Sequence, residues 1–330
     1  YHYRENPRKI MKSKKIYIAG HKGMVGSAVW RALEARGYKN VLGCSKQDLD
    51  LRNQYQVNHF FQKEQPEIVI DAAALVGGIM ANKDNPYPFI MDNLQIQMNL
   101  MDAAHQNKVE KFIFLGSSCI YPKEAPQPLK EEYLLTAPLE PTNEWYAIAK
   151  IAGVKTVEAI RKQYKKDFVS LMPTNLYGIR DNFDLQTSHV LPAMIRKFHE
   201  AKEKSEKTGI NEPVELWGTG NPKREFLFVD DLAEAIIFVM ENKLEESLYN
   251  VGSGEDLSLK ELALLVQKVI GHQGEIIWDT SKPDGTPRKV MEVSKLKNLG
   301  WSPKISLEQG IEETYQWFLE NREGIREMKL

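Results

Sequence analysis

From residue 16 onward, short apolar runs alternate with stretches of helical periodicity. Ile16-Tyr17-Ile18-Ala19 predicts a strand, and Met24 to Arg36 a helix closed by Gly37. A short strand follows near Val41, and a helix from about Asn53 leads to Ile68-Val69-Ile70. A helix of about Phe89 to Asn107 precedes Lys111-Phe112-Ile113-Phe114-Leu115. Another, containing Tyr146 to Tyr164, precedes Phe168-Val169-Ser170-Leu171-Met172. These strands show no polar alternation, so both faces are buried, and helical crossovers make them parallel. The pattern predicts a doubly wound α/β sheet.

After Thr174 the rhythm breaks. The charged stretch Ala201 to Pro213 predicts a surface loop, and Phe226-Leu227-Phe228-Val229 with a helix from Asp230 to Met240 predicts a return to the first lobe. From about residue 255 the pattern is mixed, with amphipathic helices at Leu259 to Ile270 and Leu307 to Asn321. The expected division is residues 14–180 with about 222–250 in one lobe, and about 181–221 with 251–330 in a smaller mixed α/β lobe. Residues 1–13 are polar and aperiodic, which suggests a disordered extension or an expression remnant.

Composition narrows the class. A chain of 330 residues suggests two lobes and can bury about 75% of its extended surface. Lys plus Arg (44) nearly balances Asp plus Glu (45), leaving a net charge of −1, which argues against nucleic acid as partner. No apolar run approaches the roughly 18 residues of a membrane span, and the first dozen residues lack a signal-peptide core. Two distant cysteines, Cys44 and Cys119, rule out a disulfide framework and fit a reducing cytoplasm.

Between the first strand and first helix lies Gly20-His21-Lys22-Gly23-Met24-Val25-Gly26. Glycine permits the tight turn and lets backbone N–H groups approach a pyrophosphate at the helix N-terminus. An NAD site wants a carboxylate at the end of the second strand, roughly 20 residues on. Here that stretch reads Val41-Leu42-Gly43-Cys44-Ser45-Lys46, with no acid before Asp48. Lys22, Ser45 and Lys46 can bind a 2′-phosphate instead, so NADP is the expected cofactor. Tyr146 and Lys150 lie one helical turn apart on one face. A phenol titrates near 10, and an adjacent ammonium together with a nicotinamide cation is expected to lower it toward working pH. Ser117-Ser118-Cys119 follows the fourth apolar strand, at the edge where such a sheet presents its ligand groups.

The wide glycine spacing, Gly116-Ser117-Ser118-Cys119-Ile120-Tyr121-Pro122, and the pair Tyr146 and Lys150 resemble the extended short-chain dehydrogenase/reductase family acting on nucleotide sugars, which has a Rossmann-like fold. Val76-Gly77-Gly78-Ile79 with Asn82, Pro173 to Gly178, Ser188 to Pro192, Trp217 to Gly220, Arg224-Glu225-Phe226 and Asp284 to Lys289 narrow the likeness. They are similar to its GDP-L-fucose synthase branch, over about Lys14 to Asn321.

That resemblance implies an NADPH-dependent epimerase/reductase, a homodimer, converting GDP-4-keto-6-deoxy-D-mannose to GDP-L-fucose without a metal. It implies Cys119 as base and His189 as acid at C3 and C5, Ser117 and Tyr146 as donors to O4, and Lys150 on the nicotinamide ribose. The implied cofactor contacts are Gly20, Lys22, Gly23, Met24, Val25 and Gly26; Ser45, Lys46, Asp48 and Leu49; Leu115, Gly116, Ser117 and Ser118; and Pro173, Thr174, Asn175 and Leu176 with Lys150 and His189. Lys197, Trp217, Arg224 and Asp284 are the implied substrate contacts. Trp217 could equally be core, and Arg224 an ion-pair partner of Glu225. Leu75 stands where several relatives carry a base, and Lys46 where they carry arginine, so the phosphate meets a point charge in place of a planar fork. Rival readings are a sibling 4-epimerase or 4,6-dehydratase, the latter lacking its carboxylate pair here, and an NADP-sensing regulator without catalysis. The dimer contact is expected through Leu94 to Ala104 and the Tyr146 helix.

Overall fold

The computed structural model describes residues 11–323. In chain order the elements are β1 (Ile16–Ala19), α1 (Met24–Ala35), β2 (Val41–Leu42), α2 (Gln54–Glu64), β3 (Ile68–Asp71), α3 (Ile79–Asp84), α4 (Pro86–Gln106), β4 (Lys111–Leu115), α5 (Glu144–Tyr164), β5 (Asp167–Pro173) and β6 (Asn175–Tyr177). There follow α6 (Val190–Thr208), β7 (Val214–Trp217), β8 (Lys223–Arg224), β9 (Phe226–Phe228), α7 (Val229–Glu241), β10 (Leu248–Val251), β11 (Leu257–Ser258), α8 (Leu259–Ile270), β12 (Ile276–Asp279), β13 (Arg288–Lys289), α9 (Ser294–Asn298) and α10 (Leu307–Glu320).

Six strands form one parallel sheet in the order β10-β5-β4-β3-β1-β2. Alternate residues of each strand feed opposite cores, as the absence of polar alternation requires. Ile16 and Ile18 pack with Val29, Ile113, Val169 and Ile236 on one side. Tyr17 and Ala19 pack with Phe61, Phe112, Phe114 and Val154 on the other. A third core gathers Tyr177, Phe183, Ile195, Phe198, Leu216, Leu262, Ile311 and Phe318 from the later elements.

Three elements differ from the sequence pattern. The stretch after Ala201 is not loop until Gly209: α6 runs to Thr208 and ends on that glycine, at φ +71°. Its charged tail is the wet face of a helix whose buried stripe is Leu191, Met194, Ile195 and Phe198. Phe226–Phe228 does not join the main sheet but pairs with β6, while α7, which follows it, supplies Leu232, Ile236 and Val239 to the first core. The strand that does complete the sheet, β10, carries a buried Asn250 that masks its apolar run. That side chain donates to the carbonyls of Leu129 (2.9 Å) and Glu292 (3.1 Å) and accepts from the Tyr121 hydroxyl. Of the expected N-terminal extension, residues 1–10 lie outside the described residues, and Met11 packs against the first core.

Candidate active site

Parallel strands bring the ends of β1, β3, β4 and β5 to one edge of the sheet. The turn after β1 is built by glycine. Gly20 has φ +76°, and a Cβ there would lie 2.7 Å from the Ala72 carbonyl oxygen. A Cβ on Gly26 would lie 2.1 Å from the Gly20 oxygen, so α1 packs against its own turn. Gly23, by contrast, meets nothing nearer than 3.4 Å, and no side chain caps α1. The free N–H groups of its first turn, at Met24, Val25 and Gly26, with no acid among them, suit a pyrophosphate.

The β2 end lies against this turn, since a Cβ on Gly43 would meet the His21 ring at 2.4 Å. Ser45 donates to the Asp48 carboxylate at 2.9 Å, and Leu49 is buried beneath. Lys22 and Lys46 are exposed. A third cation, Arg180, reaches the Lys22 carbonyl at 3.4 Å; no motif marks it, because it is distant in sequence from the turn it joins. Burial, Lys22 and Arg180 together push the His21 imidazole below its usual range. Cys44 is a free thiol packed against the second core.

At the β4 end, Gly116 donates to the Leu171 carbonyl at 2.9 Å, and Ser117 begins a single helical turn over Ser118–Ile120. Its Oγ accepts the Cys119 N–H at 3.5 Å. Helix α5 packs closely here because Gly153 leaves room for the Phe114 ring. It carries Lys150 into the core, where Nζ donates to the Leu115 carbonyl at 3.0 Å and lies 5.6 Å from the Tyr146 ring centre. Phe89 meets the Tyr146 ring edge-on at 6.4 Å. Ser117, Cys119, Tyr146 and Lys150 are thus brought together.

Burial governs the electrostatics of this cluster. Burial pushes the Tyr146 phenol up, and Cys119 and Asp71 add to it. Desolvation of the phenolate is the largest influence on the phenol here. Burial pushes the Lys150 ammonium down, opposed by Asp71 and Cys119. Asp71 is itself an unanticipated member: a buried carboxyl ending β3, raised by burial to about 6, with Oδ2 unpartnered. Burial also raises the Cys119 thiol, while Lys289, Ser117 and Lys150 draw it back.

His189 stands at the start of α6 with its side chain accessible, though surrounding protein and then Lys289 push its imidazole down. Lys289 therefore acts on Cys119 and His189 alike. It lay in the Asp284 to Lys289 run without an assigned role, since only the fold reveals its neighbours. On β13 it is in parallel register with Arg224 on β8.

The substrate candidates gather farther along. Trp217 is 64% exposed, which removes the core reading, and the ammonium groups of Lys197 and Lys282 lie 5.9 Å and 5.1 Å from its ring centre. Asp284 accepts the Thr219 N–H at 2.6 Å and its hydroxyl at 2.7 Å, tying down the turn after Trp217. Arg224 does not pair with Glu225; its guanidinium donates to the carbonyls of Thr286 (2.6 Å) and Lys223 (2.8 Å). Asn175 donates to the Glu225 carbonyl at 3.0 Å, and Thr174 N–H to Val251 at 2.9 Å. Pro173 ends β5, and Leu176 packs against the first core.

Residues 16–252 match the NAD dependent epimerase/dehydratase family. The chain belongs to that family. It is 55% identical over 312 residues to a putative GDP-L-fucose synthase 2 of Arabidopsis thaliana, covering 94% of each chain. It is 51% identical to the GDP-L-fucose synthase of Escherichia coli, covering 96% of this chain and 100% of that one. Among solved structures, a GDP-mannoheptose C4 reductase from Campylobacter jejuni with NADP bound superposes with a TM-score of 0.86 at 41% identity, over 93% of this chain and 99% of the other.

Proposed function

We propose that this protein converts GDP-4-keto-6-deoxy-D-mannose to GDP-L-fucose by epimerisation at C3 and C5 followed by reduction at C4. The observation that carries the reading is the meeting of Ser117, Cys119, Tyr146 and Lys150 at the carboxyl edge of the sheet. Lys289 joins them by facing both Cys119 and His189.

A ketone at C4 acidifies the hydrogens on C3 and C5. Cys119 removes a proton and His189 returns one from the opposite face. Ser117 and Tyr146 donate hydrogen bonds to O4 as charge builds there; one such donor is worth about a hundredfold or more in rate. NADPH, when bound, supplies the hydride for C4. Tyr146 then protonates O4, and Lys150 holds the ribose and orients the phenol. Glycines 20, 23 and 26 with the α1 N-terminus fit the pyrophosphate, and Lys22, Ser45, Lys46 and Arg180 fit a 2′-phosphate. Asp48, Leu49, Leu115, Gly116, Ser118 and Pro173 to Leu176 line the rest of the cofactor's path. Lys197, Trp217, Arg224 and Asp284 hold the GDP portion, with Lys289 beside Arg224. In this reading residues 14–180 with about 222–250 are the NADP lobe, and about 181–221 with 251–330 close over the sugar. The protein works as a homodimer in the cytoplasm, its two free thiols reduced.

The test is to incubate the protein with GDP-4-keto-6-deoxy-D-mannose and NADPH and identify the sugar by NMR. GDP-L-fucose is expected. A C4-reduced product that keeps the manno configuration at C3 and C5 would contradict the proposal.

A further inference from the structure

Glu225 is wholly buried, 0% exposed, and its neighbour Arg224 turns elsewhere. Its carboxylate is nevertheless crowded with donors. Oε1 accepts the Met291 N–H at 2.9 Å; Oε2 accepts the Gly254 N–H at 2.7 Å and the Ser253 hydroxyl at 3.3 Å. The Asn175 side chain donates to the residue's backbone oxygen at 3.0 Å, and Thr174 beside it also favours the charged carboxylate. Burial raises the carboxyl, and these donors draw it back. A Cβ on Gly252 would lie 2.3 Å from Oε2, so glycine there leaves the carboxylate its place.

The donors come from three different stretches. Asn175 lies just after β5 and Ser253-Gly254 follows β10, both strands of the main sheet. Met291 follows β13, which sets Lys289 beside Arg224. Glu225 thus joins the segment beside the nicotinamide, through Asn175 on its backbone oxygen, to the pair of cations at the diphosphate, through Met291 on its carboxylate. We propose that Glu225 is a positioning residue that fixes the span between Pro173–Leu176 and the Arg224/Lys289 pair, so that a sugar held by its diphosphate presents C4 to the hydride donor. This rests on the function proposed above. Reacting atoms need to be about 3–3.5 Å apart, and a misplacement of about 1 Å costs about a hundredfold. Glutamine at 225 would turn an amide NH₂ toward N–H groups and open the joint.

Glu225→Gln and, independently, Gly252→Ala test this, the second by displacing an unaltered carboxylate. For folded variants, NADPH and GDP titrated separately should bind within about threefold of the parent, while kcat for hydride transfer falls by about tenfold or more. Turnover within about twofold of the parent in both variants would overturn the proposal. So would binding losses that match the loss in kcat, or failure of both variants to fold, since each assigns Glu225 to structure alone. A parent protein that leaves NADPH unoxidised with the keto sugar contradicts the underlying function instead.

Discussion

Cys119 sits where burial works against a thiolate, and Lys289 is the first of the groups that oppose it. The same ammonium depresses His189. In the proposed chemistry, proton exchange at C3 and C5 needs the Cys119 thiolate, gained as pH rises, and the His189 imidazolium, lost as pH rises. Removing the Lys289 charge raises both pKa values, so Lys289→Met is expected to move the whole bell-shaped exchange profile to higher pH. An unmoved profile, read by NMR across pH, would separate Lys289 from both groups. At the far end of the proposed NADP site, Lys46→Asp sets a carboxylate against the 2′-phosphate. Its NADPH dissociation constant should rise at least about tenfold more than that for NADH, by the roughly 1.4 kcal/mol that a close charge pair readily supplies; equal changes would exclude the contact.

At the scale of elements, the glycine turn and the strands β1, β3, β4 and β5 were legible because strands buried on both faces leave unbroken apolar runs. The α6 tail was not, because a helix with a wet face and a turn-rich loop share composition at Ala201 to Thr208. Nor was β10, whose Asn250 looks polar in sequence but is satisfied by distant groups. Nothing in the sequence marks Arg180 or Asp71, or gives Lys289 a role within its run, for the related reason that only long-range packing shows what they face. The turn itself makes a sharp prediction. Gly26→Ala places a methyl 2.1 Å from the Gly20 oxygen and forces α1 off its turn. Overpacking of this kind costs about 1–3 kcal/mol. Thermal unfolding should shift down and NADPH binding weaken with it, whereas a variant with the parent's melting temperature and affinity would refute the close approach.

For the whole molecule, α5 carries catalytic candidates on its inner side and apolar residues on its outer side. Trp145 is 38% and Ile148 41% exposed, one turn apart. In the proposed homodimer these residues meet a second copy, so Ile148→Glu should halve the mass measured by light scattering. A parent protein that is already monomeric would exclude the dimer. Among the described residues no helix is long and apolar enough to cross a membrane.

The account stands or falls on proton traffic at two carbons governed by one thiol. In heavy water, with keto sugar and NADPH, the parent protein should deliver product carrying deuterium at C3 and C5. Cys119→Ser should still bind NADPH and leave those positions protiated. Undiminished deuterium uptake by the serine variant would contradict it.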